Sequence, residues 1–362
     1  MNRPVLFMIL GVAVCAAAGG AGQTATTGAT EKQRGVSWVA GGPITRDDLQ
    51  PLLSHHVNWI SQTPFGWQEG LDKPGIILAT SGRVLWGESD EGLLTTARLA
   101  RELGIHTLLK PHLWITGPDH GKWCGDIRMK TPEDWVSWFA AYERFILHYA
   151  RLAESSGIEA LSIGTELRGT LSGHDTEWRR IITEVRKVYH GRLTYSANWY
   201  GEYEEVPFWE LLDTIGIQSY FPLTDTERPA VEKLMGGWLT HAAAIERVQK
   251  KHGKPVVFTE MGYRSMPDAA IEPWKWPGEY SAPVSDPQTQ ANCYEAFFRT
   301  FWEKDWVGGA YIWKWYPQPR KPGGRVDSDF TPQNKPAEQV MGRWYRGEGR
   351  TGSPLGPATG SP

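Results

Sequence analysis

Two glutamates at the ends of apolar runs are the residues of this chain best placed to do chemistry. Glu260 follows Val256, Val257, Phe258 and Thr259 in the stretch PVVFTEMGY, and Glu166 follows Leu161 to Thr165 in IEALSIGTEL. Short continuous runs of apolar and β-branched residues read as strands buried on both faces. An ionisable group at the rim of such a strand is costly to desolvate unless it has partners or a task. A single strand-end glutamate is ordinarily a solvated loop residue. Two of them, each delivered at the C-terminal end of a buried strand, are what a two-carboxylate hydrolase on a parallel barrel would need.

Side chains alternate along a strand, so the phase of each strand end can be read. In the fourth run Glu166, Gly164 and Ser162 share a face, with Leu161 and Ile163 on the other. In the seventh, Glu260, Phe258 and Val256 share one. The same reading pairs Lys110 with His112, Asn198 with Ser196, Tyr220 with Gln218, and Tyr311 with Trp313 and Trp315. Trp38 closes the first run. Lys110 is suited to neutralise a carboxylate, His112 and Tyr220 to hydrogen-bond, and Trp313 to lie under a sugar ring.

The elements that must carry these residues alternate. Strands are expected at 35–39, 56–61, 105–114, 160–166, 193–199, 214–221, 255–260 and 309–315. Between them, Ser89 and Thr131 are N-cap residues for helices ending at Gly104 and Gly157. Asp286 or Ser285 caps a helix up to Lys304, and Lys335 to Tyr345 is a final short helix. The stretch from Gln62 to Glu88 reads as a long loop holding Trp67 and Trp86. Strand–helix alternation gives a parallel sheet. No Gly-rich phosphate loop follows the first strand, which argues against an open nucleotide-binding sheet. Eight repeats in about 250 residues or more fit a closed α/β barrel, the (β/α)8 or TIM barrel, in one domain.

Composition narrows the function classes. A formal charge of -3 leaves no basic footprint for nucleic acid. The chain has 19 Trp, enough for several to line a cleft as well as the core. No CxxC, HExxH or His-rich cluster occurs, so neither metal nor other cofactor is expected. Arg3 followed by the apolar run Val5 to Ala18 and small residues to Gly22 reads as a secretory signal over 1–22, too short to span a membrane. Cys15 stands where a bacterial lipoprotein carries its acylated cysteine, although Val14 replaces the small residue wanted before it. A lipid anchor there and simple cleavage near Ala18 to Gly22 are the two alternatives. Residues 23–33 read as a linker, 34–346 as the barrel domain and 347–362 as a disordered tail. The expected location is secreted or periplasmic. Cys124 and Cys293 are the remaining thiols, and sequence cannot show whether they are close enough to pair.

Taken together, KPHLW, IGTEL, QSYFP, FTEMGYRS, YIWKWYP and DFTPQNKPAEQV resemble glycoside hydrolase family 113, in the clan A retaining glycosidases. The resemblance runs in order from about Arg34 to Tyr345. It implies endo-β-1,4-mannanase activity on a polysaccharide or oligosaccharide substrate. It also implies Glu166 as acid/base, Glu260 as nucleophile, Tyr220 bonded to the nucleophile and Trp313 under the sugar at the cleavage point. Many clan members have Asn before the acid/base, where this chain has Thr165. The contact which that Asn makes to the sugar 2-hydroxyl must then come from elsewhere or be absent, and Asn198 is a candidate for it. Action on another β-linked glycan (glucan or galactan), or a non-catalytic carbohydrate-binding barrel, are the alternatives.

Overall fold

Pro111 decides where one strand of this fold ends and another begins. The computed structural model describes residues 31–78, 80, 84–275, 284–317 and 322–349. The expected signal peptide with Cys15, the linker up to residue 30 and the tail from 350 lie outside the described residues. The elements are β1 (Gln33–Trp38), α1 (Arg46–Leu49), α2 (Pro51–Ser54), β2 (Trp59–Gln62), β3 (Phe65–Glu69), β4 (Ile76–Leu78), α3 (Asp90–Glu102), β5 (His106–Leu109) and β6 (His112–Thr116). They continue with α4 (Pro132–Ser156), β7 (Ala160–Thr165), α5 (Asp175–Val188), β8 (Arg192–Asn198), α6 (Glu202–Glu205), β9 (Ile215–Ser219), α7 (Val231–His252), β10 (Val256–Met261), α8 (Pro287–Phe301), β11 (Val307–Trp315) and α9 (Pro336–Arg346). Eight strands close a parallel barrel in the order β1-β11-β10-β9-β8-β7-β5-β2. This is the expected (β/α)8 architecture.

The helices start and stop where their caps demand. Ser89, Thr131 and Asp286 each accept the backbone N–H three residues on, supplying a partner to an otherwise orphaned donor. Gly157 and Gly253 end α4 and α7 with φ of 68° and 65°, a left-handed conformation that costs glycine nothing.

The expected third strand, 105–114, is two strands. β5 stays in the barrel, while Pro111 has no N–H to offer a ladder. Beyond it β6 leaves to pair with β3, placing Phe65 opposite His112 and Glu69 opposite Thr116. The stretch expected as a long loop therefore carries β3 and β4, which with β6 form a separate three-stranded sheet. Trp138 of α4 anchors that sheet by donating its indole N–H to the buried Gln68 at 2.9 Å.

The barrel interior changes character from bottom to top. Trp59, Leu108, Ala160, Val257 and Tyr311 make an apolar cluster of their own inside it. Above lie hydroxyl pairs, Ser37 with Ser61 at 3.0 Å and Ser162 with Ser196 at 2.9 Å. Charged groups crown the C-terminal rim. A second and larger apolar cluster fills the space between barrel and helices.

Three strands break the simple alternation. In β10, Phe258 lies opposite Ile217 and Glu260 opposite Gln218, so two residues of β10 advance against one of β9. This β-bulge turns Glu260 inward together with Thr259. Phe258 faces outward, its ring 4.9 Å from Phe297 and 4.8 Å from Phe301 of α8. In β7, Ser162 pairs with Thr194 but Thr165 with Ser196, another inserted residue. A Cβ on Gly164 would meet Tyr195 at 2.6 Å and Trp178 of α5 at 3.1 Å, so Gly164 faces the helices and not Ser162's side. In β11 the register with β1 also slips, and Trp315 packs against His55 at 5.3 Å instead of sharing Tyr311's inner face.

Candidate active site

Glu166 follows β7 directly and Glu260 lies near the end of β10, so both occupy the C-terminal rim. Glu166 has φ of 54°, a left-handed backbone that is rare for a side chain and costs on the order of 1–3 kcal/mol. The surrounding bonds hold it there. Its own N–H donates to Ser196 O at 2.9 Å, and the next N–H, of Leu167, donates to the Tyr195 hydroxyl at 2.9 Å.

The two carboxylates are treated differently by their neighbours. Glu260 Oε1 is paired with the ammonium of Lys110, which is fully buried and also donates to Gln218 Oε1 at 3.4 Å and Thr259 O at 3.3 Å. Its Oε2 accepts from the Tyr220 hydroxyl at 2.5 Å. Burial alone would raise the pKa of Glu260, but the Lys110 charge and these hydrogen bonds hold it below the ordinary carboxylate value. Glu166 accepts from the Asn198 amide at 2.7 Å and from the Trp123 indole at 2.8 Å, both uncharged donors. Burial, and then the negative charge of Glu260, push its pKa up to about 7. One carboxyl is kept ionised and the other is kept able to hold a proton, an arrangement suited to acid/base chemistry at neutral pH.

Five further residues named from the sequence meet at this pair. Lys110 and Tyr220 touch Glu260 directly. His112 Nε2 lies 3.8 Å from Glu260 Oε1, buried and without a hydrogen-bond partner. Burial and the nearby Lys110 charge lower the His112 pKa to about 3, so the ring is neutral. Asn198 is engaged with Glu166, and its Oδ1 accepts the Tyr200 N–H at 2.8 Å. Trp313 sits with its ring centroid 5.6 Å from Lys110 Nζ. Trp38 does not join them by any hydrogen bond or ring contact among the described residues. It is 4% exposed, within the large apolar cluster, with an unpartnered indole N–H.

Trp123 was not legible as a site residue. It lies between β6 and α4, outside any periodic element, and only the folded chain brings it to Glu166. Glu202, which accepts from the Tyr195 hydroxyl and from the backbone N–H of Asn198, was equally hidden, because GEYEE reads as a solvated acidic turn. Cys124 and Cys293 are both free thiols. No group of three or more His, Cys, Asp or Glu placed to hold a metal ion occurs among the described residues, and no helix there is long and apolar enough to cross a membrane.

A closed (β/α)8 barrel with an inequivalent glutamate pair on its C-terminal rim has the architecture of a glycoside hydrolase. The chain belongs to Glycoside Hydrolase Family 113, whose model matches residues 32–335. It is therefore a glycosidase with a carbohydrate substrate. Among solved structures it is similar to the GH113 β-mannanase from Alicyclobacillus acidocaldarius in complex with ManMIm, at 27% identity and a TM-score of 0.74 over 87% of this chain and 97% of that one. A complex of a GH113 β-1,4-mannanase is similar at 26% identity and TM-score 0.74 over 87% of this chain and 99% of that one. A fungal β-1,4-galactanase, at 14% identity and TM-score 0.52 over 85% and 98%, shares the fold alone. No curated protein sequence matches.

Proposed function

We propose that this protein is a retaining endo-β-1,4-mannanase working by double displacement, with Glu260 as nucleophile and Glu166 as acid/base. The observation that carries the role assignment is the asymmetry of the pair. Glu260 is held ionised by Lys110 and Tyr220. Glu166, with uncharged donors only, is held near pKa 7. Glu260 attacks the anomeric carbon while the proton of Glu166 passes to the leaving oxygen. Glu166, now ionised, takes a proton from water, which displaces Glu260 from the glycosyl-enzyme.

The mannan reading is supported by the two GH113 mannanase structures. Aromatic faces on both sides of the pair support the binding of a chain rather than a single sugar. On the Glu166 side, Trp199 follows Asn198 and stacks on Trp274 at 5.0 Å, beside the exposed Tyr200. On the Glu260 side, Phe65 lies 5.5 Å from His112 and 5.9 Å from the partly exposed Trp114. The unpartnered His112 nitrogen is assigned to a hydroxyl of the sugar at the cleavage point. Leaving that buried atom unmatched costs about 1–3 kcal/mol, which a substrate hydroxyl would recover.

The test is azide rescue on a dinitrophenyl β-glycoside. Without azide, Glu260→Ala should be inactive on all substrates; with azide it should give the inverted α-azide. Glu166→Ala should form a glycosyl-enzyme that stalls, and azide should release it as the retained β-azide. Rescue of neither variant, or inverted product from the wild type, would refute the roles. Turnover of another β-glycan with none of mannan, mannohexaose or glucomannan would refute the substrate. Export is the remaining part of the proposal, resting on the apolar run Val5 to Ala18. A mature protein that still begins at Met1 inside its host cell would overturn it.

A further inference from the structure

Glu202 is a buried acid that double displacement leaves without a task. It begins α6, and none of its surface reaches solvent. Its Oε1 accepts from the Tyr195 hydroxyl at 2.5 Å and its Oε2 from the backbone N–H of Asn198 at 2.6 Å. The Tyr195 oxygen in turn accepts the N–H of Leu167, the residue after Glu166, at 2.9 Å. One carboxylate thus holds two strand ends, β8 directly and β7 through Tyr195. Those ends carry Glu166 on its left-handed backbone and the Asn198 amide that donates to it.

Both oxygens of Glu202 are engaged in this relay. Asn198 N–H and Tyr195 O–H both find an acceptor, and Tyr195 keeps a lone pair for Leu167. Burial opposes the charge and pushes the Glu202 pKa up to about 8. A side chain at this helix start lacking either oxygen would break one or both links. Proton transfer is sensitive to small errors of direction, so the links bear on Glu166 more than on the rest of the barrel.

We propose that Glu202 is a positioning residue for proton transfer at Glu166, acting through Asn198 and Tyr195 without touching the substrate. The inference rests on the reading of Glu166 as acid/base.

The experiment compares kcat/KM on mannohexaose, whose leaving group must be protonated, with kcat/KM on dinitrophenyl β-mannobioside, whose leaving group need not be. Glu202→Ala should lose about 10–100-fold on the first and less than about threefold on the second, part of the 10²–10⁴-fold that a positioned acid supplies. Glu202→Gln should fall between Glu202→Ala and the wild type, because its amide oxygen still accepts Asn198 N–H. Tyr195→Phe cuts only the arm to Leu167 and should show the same split, which keeps the test open if the Glu202 variants fail to fold. Glu166→Ala is the control and must show the split itself. If it does, and the Glu202 and Tyr195 variants lose equally on both substrates or on neither, the positioning role is overturned while the acid/base reading stands. If Glu166→Ala shows no split, the acid/base reading has failed. Failure of all three positioning variants to fold would make the relay a structural staple and would also overturn the proposal.

Discussion

Replacing Glu166 by Gln should change stability in a pH-dependent way whose sign follows from the site. In the folded protein Glu166 has a pKa of about 7, raised from an ordinary 4.5 by burial and then by Glu260. A carboxyl whose folded pKa is raised supports the folded state below its unfolded pKa, and that support is lost as pH rises through the folded value. The difference between about 7 and 4.5, at 1.36 kcal/mol for each tenfold change in proton affinity, is about 3 kcal/mol; partial access of water to the group reduces this to about 2–3 kcal/mol. Glutamine never ionises and escapes this loss. It has a fixed defect of its own, since it offers one oxygen where both Trp123 and Asn198 donate. That mismatch costs about 1–3 kcal/mol at every pH. The difference in unfolding free energy between Glu166→Gln and wild type should therefore move by about 2–3 kcal/mol in the variant's favour from pH 4.5 to 8. Urea unfolding followed by Trp fluorescence at several pH values measures it. A difference that stays flat, or that moves toward the wild type as pH rises, would refute the assigned environment of Glu166.

The same pKa should appear in turnover. On an oligosaccharide, wild-type kcat/KM should fall about tenfold for each pH unit above about 7, as Glu166 loses the proton that the leaving group needs. A flat profile to pH 9 would contradict this. Lys110→Met removes the charge that holds Glu260 ionised, so the acid limb of the profile should move toward neutrality. Breaking such a buried pair costs about 3–5 kcal/mol of folding stability, readable in urea unfolding, and an unmoved acid limb would count against the pairing. Gly164→Ala should destabilise by about 1–3 kcal/mol in chemical unfolding, since its Cβ would sit 2.6 Å from Tyr195. Had Gly164 faced inward beside Ser162, little strain against Tyr195 would result. Exhaustive chelation should leave activity intact, and recovery of lost activity by one specific divalent ion would show otherwise.

The elements and the carboxylate pair were legible because their signals are local. Apolar runs bounded by Gly and Pro marked the barrel strands, and Ser89, Thr131 and Gly157 marked helix ends through bonds made within a few residues. Lys110, Asn198 and Tyr220 were found because each stands at or just beyond a strand end. What failed was the alternation near the rim. A bulge inserts one residue without changing the character of the run, so PVVFTE looks the same whether Phe258 faces inward or outward. The barrel's curvature and the packing of Phe258 on Phe297 and Phe301 decide it. The split at Pro111 had a visible cause, but the partner strand β3 was disguised in a stretch read as loop.

The sequence by itself determined the class of fold, the order of the strands along the chain, and which two glutamates stand at the ends of buried strands on the C-terminal rim. Tertiary structure alone decided how those glutamates differ. Both end similar apolar runs, and the physical character of those runs does not show which carboxyl is held ionised. The difference is made by Lys110 and Tyr220 on one side and by Trp123 and Asn198 on the other, residues 32 to 150 positions away along the chain. Charge and hydrogen bonding act over a few ångströms of space, and only closure of the barrel brings those groups within reach of the carboxylates.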